Sequence, residues 1–279
     1  MIIVADSGST KTDWAILNKN QQIVFKTKGI NPLFLEKEEV AKDIISNFPK
    51  GLMVENIESI FFYGPGCSTK ARSLIVEEAL RLVFLNAKTV VESDLLGAAR
   101  ALFQKERGIA CILGTGSNSG LYDNGRIEEN ILSTGFILGD EGSGAHMGLE
   151  LVKQYINQKL ERETQLKFQE AYQLSIEQII DKVYKQAYPN RFLASFSPFI
   201  VQNIKDPVIC AIVEKSFADF FDLHILPYQE AQNLPISFVG SIAYHFKSII
   251  VGLVEKHNLQ LGGIVQKPID DLVKYHTNN

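Results

Sequence analysis

The chain opens on two apolar runs, Ile2-Ile3-Val4-Ala5 and Trp14-Ala15-Ile16-Leu17, parted by the polar stretch Asp6-Ser7-Gly8-Ser9-Thr10-Lys11-Thr12-Asp13. A third run ends at Phe25, after the polar residues Asn18-Lys19-Asn20-Gln21. Short apolar runs bounded by Gly, Ser and Asn predict strands joined by tight turns, so residues 2–25 read as three strands. The period then lengthens. Residues 36–48 place Val40, Ile44, Ile45 and Phe48 on one face of a helix. Residues 59–64 form a buried strand ended by Gly64-Pro65-Gly66, and an amphipathic helix covers 69–84. A strand at 88–93 runs into a helix at 94–106.

At residue 109 the pattern restarts. Residues 109–129 again read as apolar strand, small-residue turn, strand, polar turn (Asp123-Asn124-Gly125) and strand. Laid on 2–25, Ser7-Gly8-Ser9 falls on Thr115-Gly116-Ser117. A period near a hundred residues means duplicated domains rather than a solenoid. Helices dominate 143–185 and 206–223, residues 236–246 read as strand, glycine turn and helix, and 268–276 is a last helix. The expected fold class is α/β, with an N-terminal domain at 1–107, a C-terminal domain at 108–279 and the last helix free to pack back on the first. The two glycine turns are expected to face each other across a cleft.

The 279 residues, 46% hydrophobic and 22% charged, have a globular composition. A net charge of −4 gives no support for nucleic acid or an anionic membrane as partner. Cys67, Cys111 and Cys210 are far apart and form no CxxC pair, which fits free thiols in a reducing compartment. No apolar run approaches the length of a membrane span and no basic leader precedes the first apolar run, so the expected location is cytoplasmic.

A glycine flanked by Ser and Thr lets backbone N–H groups converge on one spot, a concavity suited to anionic oxygens. The hydroxyls of Ser9, Thr10, Thr115 and Ser117 add donors, and Lys11 adds charge. Asp6, at the end of its strand, can hold Mg²⁺ through water. Either turn alone is more often just a turn; both in one strand–turn–strand context point to a polyphosphate. No GxxxxGK[ST] is present, and the sequence after Gly114-Thr115-Gly116-Ser117 reads as a strand, which is wrong for a dinucleotide fingerprint.

Together Asp6–Thr12, Gly114–Asn118, Gly139–Gly144 and Phe238–Ala243 resemble the actin/hexokinase/Hsp70 ATPase superfamily, and within it the N-acetylglucosamine kinases and BadF/BadG/BcrA/BcrD-type ATPases. The resemblance spans about 2–250. It implies two ribonuclease-H-like domains, ATP with Mg²⁺ as cofactor, a small sugar substrate and a homodimer. It assigns phosphate binding to Ser7, Gly8, Ser9, Thr10, Lys11, Gly114, Thr115, Gly116 and Ser117, and adenosine binding to Gly240 and Ser241, with Arg191–Ala194 loosely matching an adenine-pocket segment. Asp94 becomes the base that accepts the sugar hydroxyl proton; Asn31, Gly135 and Asp140 become sugar contacts. Each has a plainer reading: Asp94 as an N-cap, Asn31 as a turn before proline, Asp140 as an acid at a helix start that Glu141 would serve equally. Trp14 reads as core, and His146 as structural. Two departures stand out. Ser7 and Ser9 sit where relatives carry glycine, and Ser133, Thr134 and Gly135 replace a tryptophan-containing sugar segment. The expected activity is phosphorylation of N-acetylglucosamine at its 6-hydroxyl. Its rivals are an ATPase that activates a dehydratase through an iron–sulfur cluster, for which Cys67 is the one glycine-flanked cysteine, and a non-catalytic sugar or nucleotide sensor.

Overall fold

The computed structural model describes residues 1–18, 21–32 and 36–277. The middle of the first polar turn, Lys19-Asn20, and the residues after Pro32 in the Asn31 segment lie outside the described residues. The chain forms two compact units. The first contains Met1–Ala110, Tyr122–Glu128 and the stretch from Lys267 on; the second contains Cys111–Leu121 and Glu129–Gln266.

In the first unit, β1 (Ile2–Ser7), β2 (Lys11–Asn18), β3 (Gln21–Lys28), β4 (Ser59–Gly64) and β5 (Lys88–Ser93) form one sheet in the order β3-β2-β1-β4-β5. β1 to β3 are antiparallel neighbours, whereas β4 and β5 run parallel to β1. Alternation along β1 sends Ile3 and Ala5 into one core and Val4 into another. The first core is closed by α1 (Lys37–Asn47) and α2 (Lys70–Arg81) through Ile44, Val76 and Leu80. The second takes Ala101 from α3 (Asp94–Phe103) and Ile269, Leu272 and Val273 from the C-terminal helix, Ile269–Thr277. Covering both faces is why β1 and β4 read as continuous apolar runs rather than alternating ones. Trp14 is fully buried, stacks on Phe25 at 5.4 Å and donates from Nε1 to Thr27 Oγ1 at 2.9 Å, a core residue as expected. Ile45 corrects the helical face: it is 59% exposed, while Ala41 and Ile44 are the buried pair. Val40 and Phe48 pack against the same core as expected; Ile45, about 100° round the helix from Ile44, turns to solvent.

The C-terminal helix is latched within this unit. Arg100, on α3, donates from Nη1 to Tyr63 Oη at 2.9 Å and from Nη2 to the Gly125 carbonyl at 3.0 Å. Tyr63 Oη is also 2.8 Å from His276 Nε2. His276 is buried against Phe61, and its pKa is pushed down to about 4 by that burial and by the Arg100 charge.

The second sheet repeats the first. β6 (Gly108–Leu113), β7 (Ser117–Asp123), β8 (Arg126–Ile131), β9 (Pro235–Val239) and β10 (Gln260–Val265) lie in the order β10-β9-β6-β7-β8, with β9 and β10 parallel. The next two strands on one side of the first strand and two later ones on the other is the order of the first sheet, so the duplication inferred from the turns is a duplication of topology. Its helices are α4 (Gly144–Ile156), α5 (Arg162–Tyr172), α6 (Ile176–Tyr184), α7 (Pro189–Ala194), α8 (Ser197–Gln202), α9 (Pro207–His224), α10 (Ser241–His245) and α11 (Lys247–Lys256). Sequence reasoning missed α7, α8, α11 and β10. Gly262-Gly263 hides the strand character of β10, which rests on pairing with β9; a Cβ on Gly262 would lie 2.3 Å from Ser237 Oγ.

Candidate active site

In the first unit the site residues gather at the carboxyl ends of β1, β4 and β5, the edge where parallel α/β sheets hold ligands. The turn after β1 is closed by Gly8 N–H donating to the Lys11 carbonyl at 2.8 Å. Gly29 buttresses it: its N–H donates to Thr10 O at 3.0 Å, and a Cβ there would fall 2.4 Å from Gly8 O and 2.5 Å from Ser9 O. Sequence reasoning passed over Gly29, although a glycine directly after a strand was the available signal. Ser7 is 1% exposed; its Oγ lies 2.8 Å from Thr12 Oγ1 and accepts the Ile30 N–H at 2.9 Å. Ser7 is therefore the pin that holds the following segment to the turn. That segment brings Asn31 to Gly66, whose Cα faces Asn31 Oδ1 closely enough that a Cβ would sit at 3.1 Å.

Three carboxylates share this edge. Asp6 stands opposite Asp13 in the β1–β2 register. Asp13 was not singled out from sequence; it is 8% exposed and has Lys11 Nζ at 3.7 Å and Lys267 Nζ at 3.9 Å. Asp6 is pushed up to about 7, chiefly by burial and then by the charges of Asp94 and Asp13, with Lys11 opposing. Asp94 is the first residue of α3, but the cap is Ser93, whose Oγ accepts the Leu96 N–H at 3.2 Å. The N-cap reading of Asp94 is thus corrected. Its Oδ1 accepts the Leu95 N–H at 2.9 Å, and burial raises its pKa to about 6 against the pull of the backbone donors. Cys67 is buried, and its thiol is pushed up to about 12 by that burial and by the Asp94 charge. A cavity of about 340 Å³ between α2 and β5 is lined by Cys67, Ser68, Thr69, Lys70 and Glu92 among others, of which only Cys67, the cysteine weighed for an iron–sulfur cluster, was singled out from sequence.

In the second unit, Gly114 N–H closes its turn onto Gly116 O at 3.0 Å. Gly144 and Ala145, opening α4, donate to the carbonyls of Gly114 and Thr115 at 2.8 and 3.0 Å, so the turn is docked on that helix. Asp140 lies against it: Oδ1 accepts from Ser133 Oγ at 3.0 Å and lies 3.5 Å from the Ser117 amide, and a Cβ on Gly116 would sit 2.9 Å from Oδ2. Burial raises the Asp140 pKa, with Glu141 adding to the rise and the Ser133 hydroxyl and Ser117 amide opposing it. Ser117 is 5% exposed and its Oγ has no hydrogen-bond partner among the described residues, an orphan in the very turn assigned to phosphate. Gly240, at the end of β9, has φ +125°, and a Cβ would collide with Leu113 O at 2.2 Å; Ser241 follows as the first residue of α10. Gly114 to Ser117, Asp140 and Gly240 therefore form one group. Gly135 bends at φ +79° and accepts the Gly139 N–H at 2.8 Å, closing the loop that returns Ser133 to Asp140. Arg191 stacks over Tyr188 at 4.0 Å. His146 Nδ1 is 2.8 Å from Ser216 Oγ, a structural bond as expected.

Two five-stranded α/β units of like strand order, each with a small-residue turn after its first strand, define a two-domain, actin-like ATPase fold. The chain belongs to the BadF/BadG/BcrA/BcrD ATPase family, which it matches over residues 5–269. Its fold is similar to that of a candidate N-acetylglucosamine kinase from Porphyromonas gingivalis, at 40% identity and a TM-score of 0.93 over 100% of this chain and 99% of that one. It is similar in fold to a ROK family glucokinase from Streptomyces griseus, solved with glucose and AMPPNP, at 13% identity and a TM-score of 0.62 over 100% and 99% of the two chains. In sequence it is 26% identical over 161 residues to the N-acetylmuramic acid/N-acetylglucosamine kinase of Clostridium acetobutylicum, covering 54% of this chain. The match spans about half of that relative, 52% of its length. Among the described residues no helix is long and apolar enough to cross a membrane.

Proposed function

We propose that this chain is an ATP-dependent sugar kinase that phosphorylates N-acetylglucosamine on its 6-hydroxyl, acting in the cytoplasm as a homodimer. The observation that carries the reading is Asp94: a partly buried carboxylate, relieved of capping by Ser93, at the carboxyl end of β5 and close enough to Asp6 for their charges to interact. Phosphoryl transfer is mostly positioning and charge stabilisation, and one carboxylate near the acceptor suffices to orient the hydroxyl and take its proton.

ATP fits the residues present. The orphan Ser117 Oγ needs a polar partner, and the turns at Gly8 and Gly116 offer N–H groups to phosphate oxygens. Mg²⁺ also fits: it is usually held by one or two carboxylates plus phosphates, and Asp6, crowded by two other acids, would be relieved by a cation. When bound, the ion neutralises phosphate charge. Asn31 and Asp140 bind sugar hydroxyls, Lys11 adds positive charge beside the first turn, and Gly240 and Ser241 take the adenosine. The cluster-bearing activator is the weaker reading, because a thiol buried and pushed up to about 12, as in Cys67, makes a poor thiolate ligand.

The test is ADP release across a panel of hexoses and N-acyl amino sugars, with product mapping by NMR and solution mass by light scattering. Release that depends on N-acetylglucosamine and yields the 6-phosphate is expected. Release independent of every sugar would end the kinase reading, and a monomer mass at working concentration would end the dimer.

A further inference from the structure

Ser216, Phe220 and His224 lie four residues apart on α9, and that spacing puts all three on one helical face. Each touches the loop that carries Asp140. Ser216 Oγ accepts the Gly142 N–H at 3.0 Å. Phe220 packs on Gly142 so tightly that a Cβ there would meet its own Cβ at 3.0 Å. His224 Nε2 lies 3.0 Å from Glu141 Oε2, with the imidazole stacked on Phe220 at 5.3 Å. The loop needs such support. Asp140 is a non-glycine residue at φ +58° and Gly142 follows at +75°, a conformation that persists only where the surroundings impose it.

The hydrogen bonding of His224 fixes its chemistry. Among the described residues Nδ1 is buried without a partner, so the ring's polar contact runs through Nε2. An ionised carboxylate only accepts, so Nε2 donates to Glu141 and orients it.

We propose that this face of α9 positions the Asp140 loop for the acceptor sugar, with His224 as a positioning residue acting through Glu141. The inference rests on the reading of Asp140 as a contact to sugar hydroxyls. It assigns sugar affinity, rather than nucleotide affinity, to a helix face whose own side chains need not touch the ligand.

The experiment compares His224→Phe, which keeps the ring stack and loses the donor, with His224→Gln, which restores an N–H donor. Steady-state kinetics for sugar and ATP are read alongside calorimetric sugar binding, below each protein's melting temperature. His224→Phe is expected to raise the sugar KM and Kd about 10- to 100-fold, the worth of a hydrogen bond to a charged group, with ATP KM within about twofold of wild type. His224→Gln is expected to recover most of the loss. An unchanged sugar KM in the Phe variant, an equal rise in both KM values, or a Gln variant as poor as Phe would overturn the proposal. If His224→Phe fails to fold, Ser216→Ala with Ser216→Thr as its rescue is read by the same criteria. A wild-type protein with no sugar-dependent turnover and no calorimetric binding would strike the kinase reading itself, whereas an active wild type with unaffected variants strikes only the role of α9.

Discussion

Replacing Asp94 with asparagine should separate stability from catalysis. The substitution keeps shape and an oxygen that can accept the Leu95 N–H now donated to Oδ1 at 2.9 Å. It removes the charge and the base. Loss of a general base costs about 100- to 10,000-fold in turnover. The same change should stabilise the fold. Burial lifts the carboxyl from 3.8 to about 6. At about 1.4 kcal/mol per tenfold change in proton affinity, holding the ionised form at neutral pH costs the wild type about 3 kcal/mol. The native state of the wild type binds its proton more tightly than the unfolded chain, so its stability falls as pH rises from about 4 to about 6 and levels off above. A side-chain amide does not titrate and has no such slope. The Asp94→Asn variant should therefore unfold at a higher urea concentration than wild type at pH 7.5 but lose that advantage at pH 4. The assays are ADP release with saturating sugar and urea unfolding followed by far-UV circular dichroism at pH 4, 5, 6 and 7.5. Turnover within tenfold of wild type would remove Asp94 as the base. Parallel stability curves across the pH range would show that its charge is not buried at a cost.

Ser117→Ala removes a buried hydroxyl that has no hydrogen-bond partner among the described residues, so the melting temperature should stay within about 2 °C of wild type while ATP KM rises several-fold; a large stability loss with unchanged ATP KM would contradict a ligand-facing Oγ. Gly29→Ala forces a Cβ to within 2.4 Å of the Gly8 carbonyl, and should cost about 1–3 kcal/mol by overpacking and displace the first turn, raising ATP KM more than sugar KM; a neutral result by thermal melting and kinetics would refute the buttress.

Much of this architecture was legible in the residues alone, because it is local. Short apolar runs interrupted by Ser, Gly and Asn specify hairpins whatever surrounds them, and their recurrence after residue 109 announced a second sheet of the same order. The acids and small residues of the site were visible for the same reason: phosphate loops are short contiguous stretches. What stayed hidden depends on partners distant in the chain. β10 is a strand because β9 pairs with it, despite two glycines at its centre. Ile45 is apolar yet exposed, since the packing of α1, not its composition, chose which stripe to bury. Gly29 is glycine because of two carbonyls about twenty residues earlier, and Ser7 serves a network closed from Thr12 and Ile30. His224 reads as an ordinary helix-end histidine until α9 sets it against Glu141, eighty-three positions away. Sequence determines the hydrogen-bonding and apolar character of each segment; burial, proton affinity and contact belong to pairs of segments, and only folding chooses the pairs.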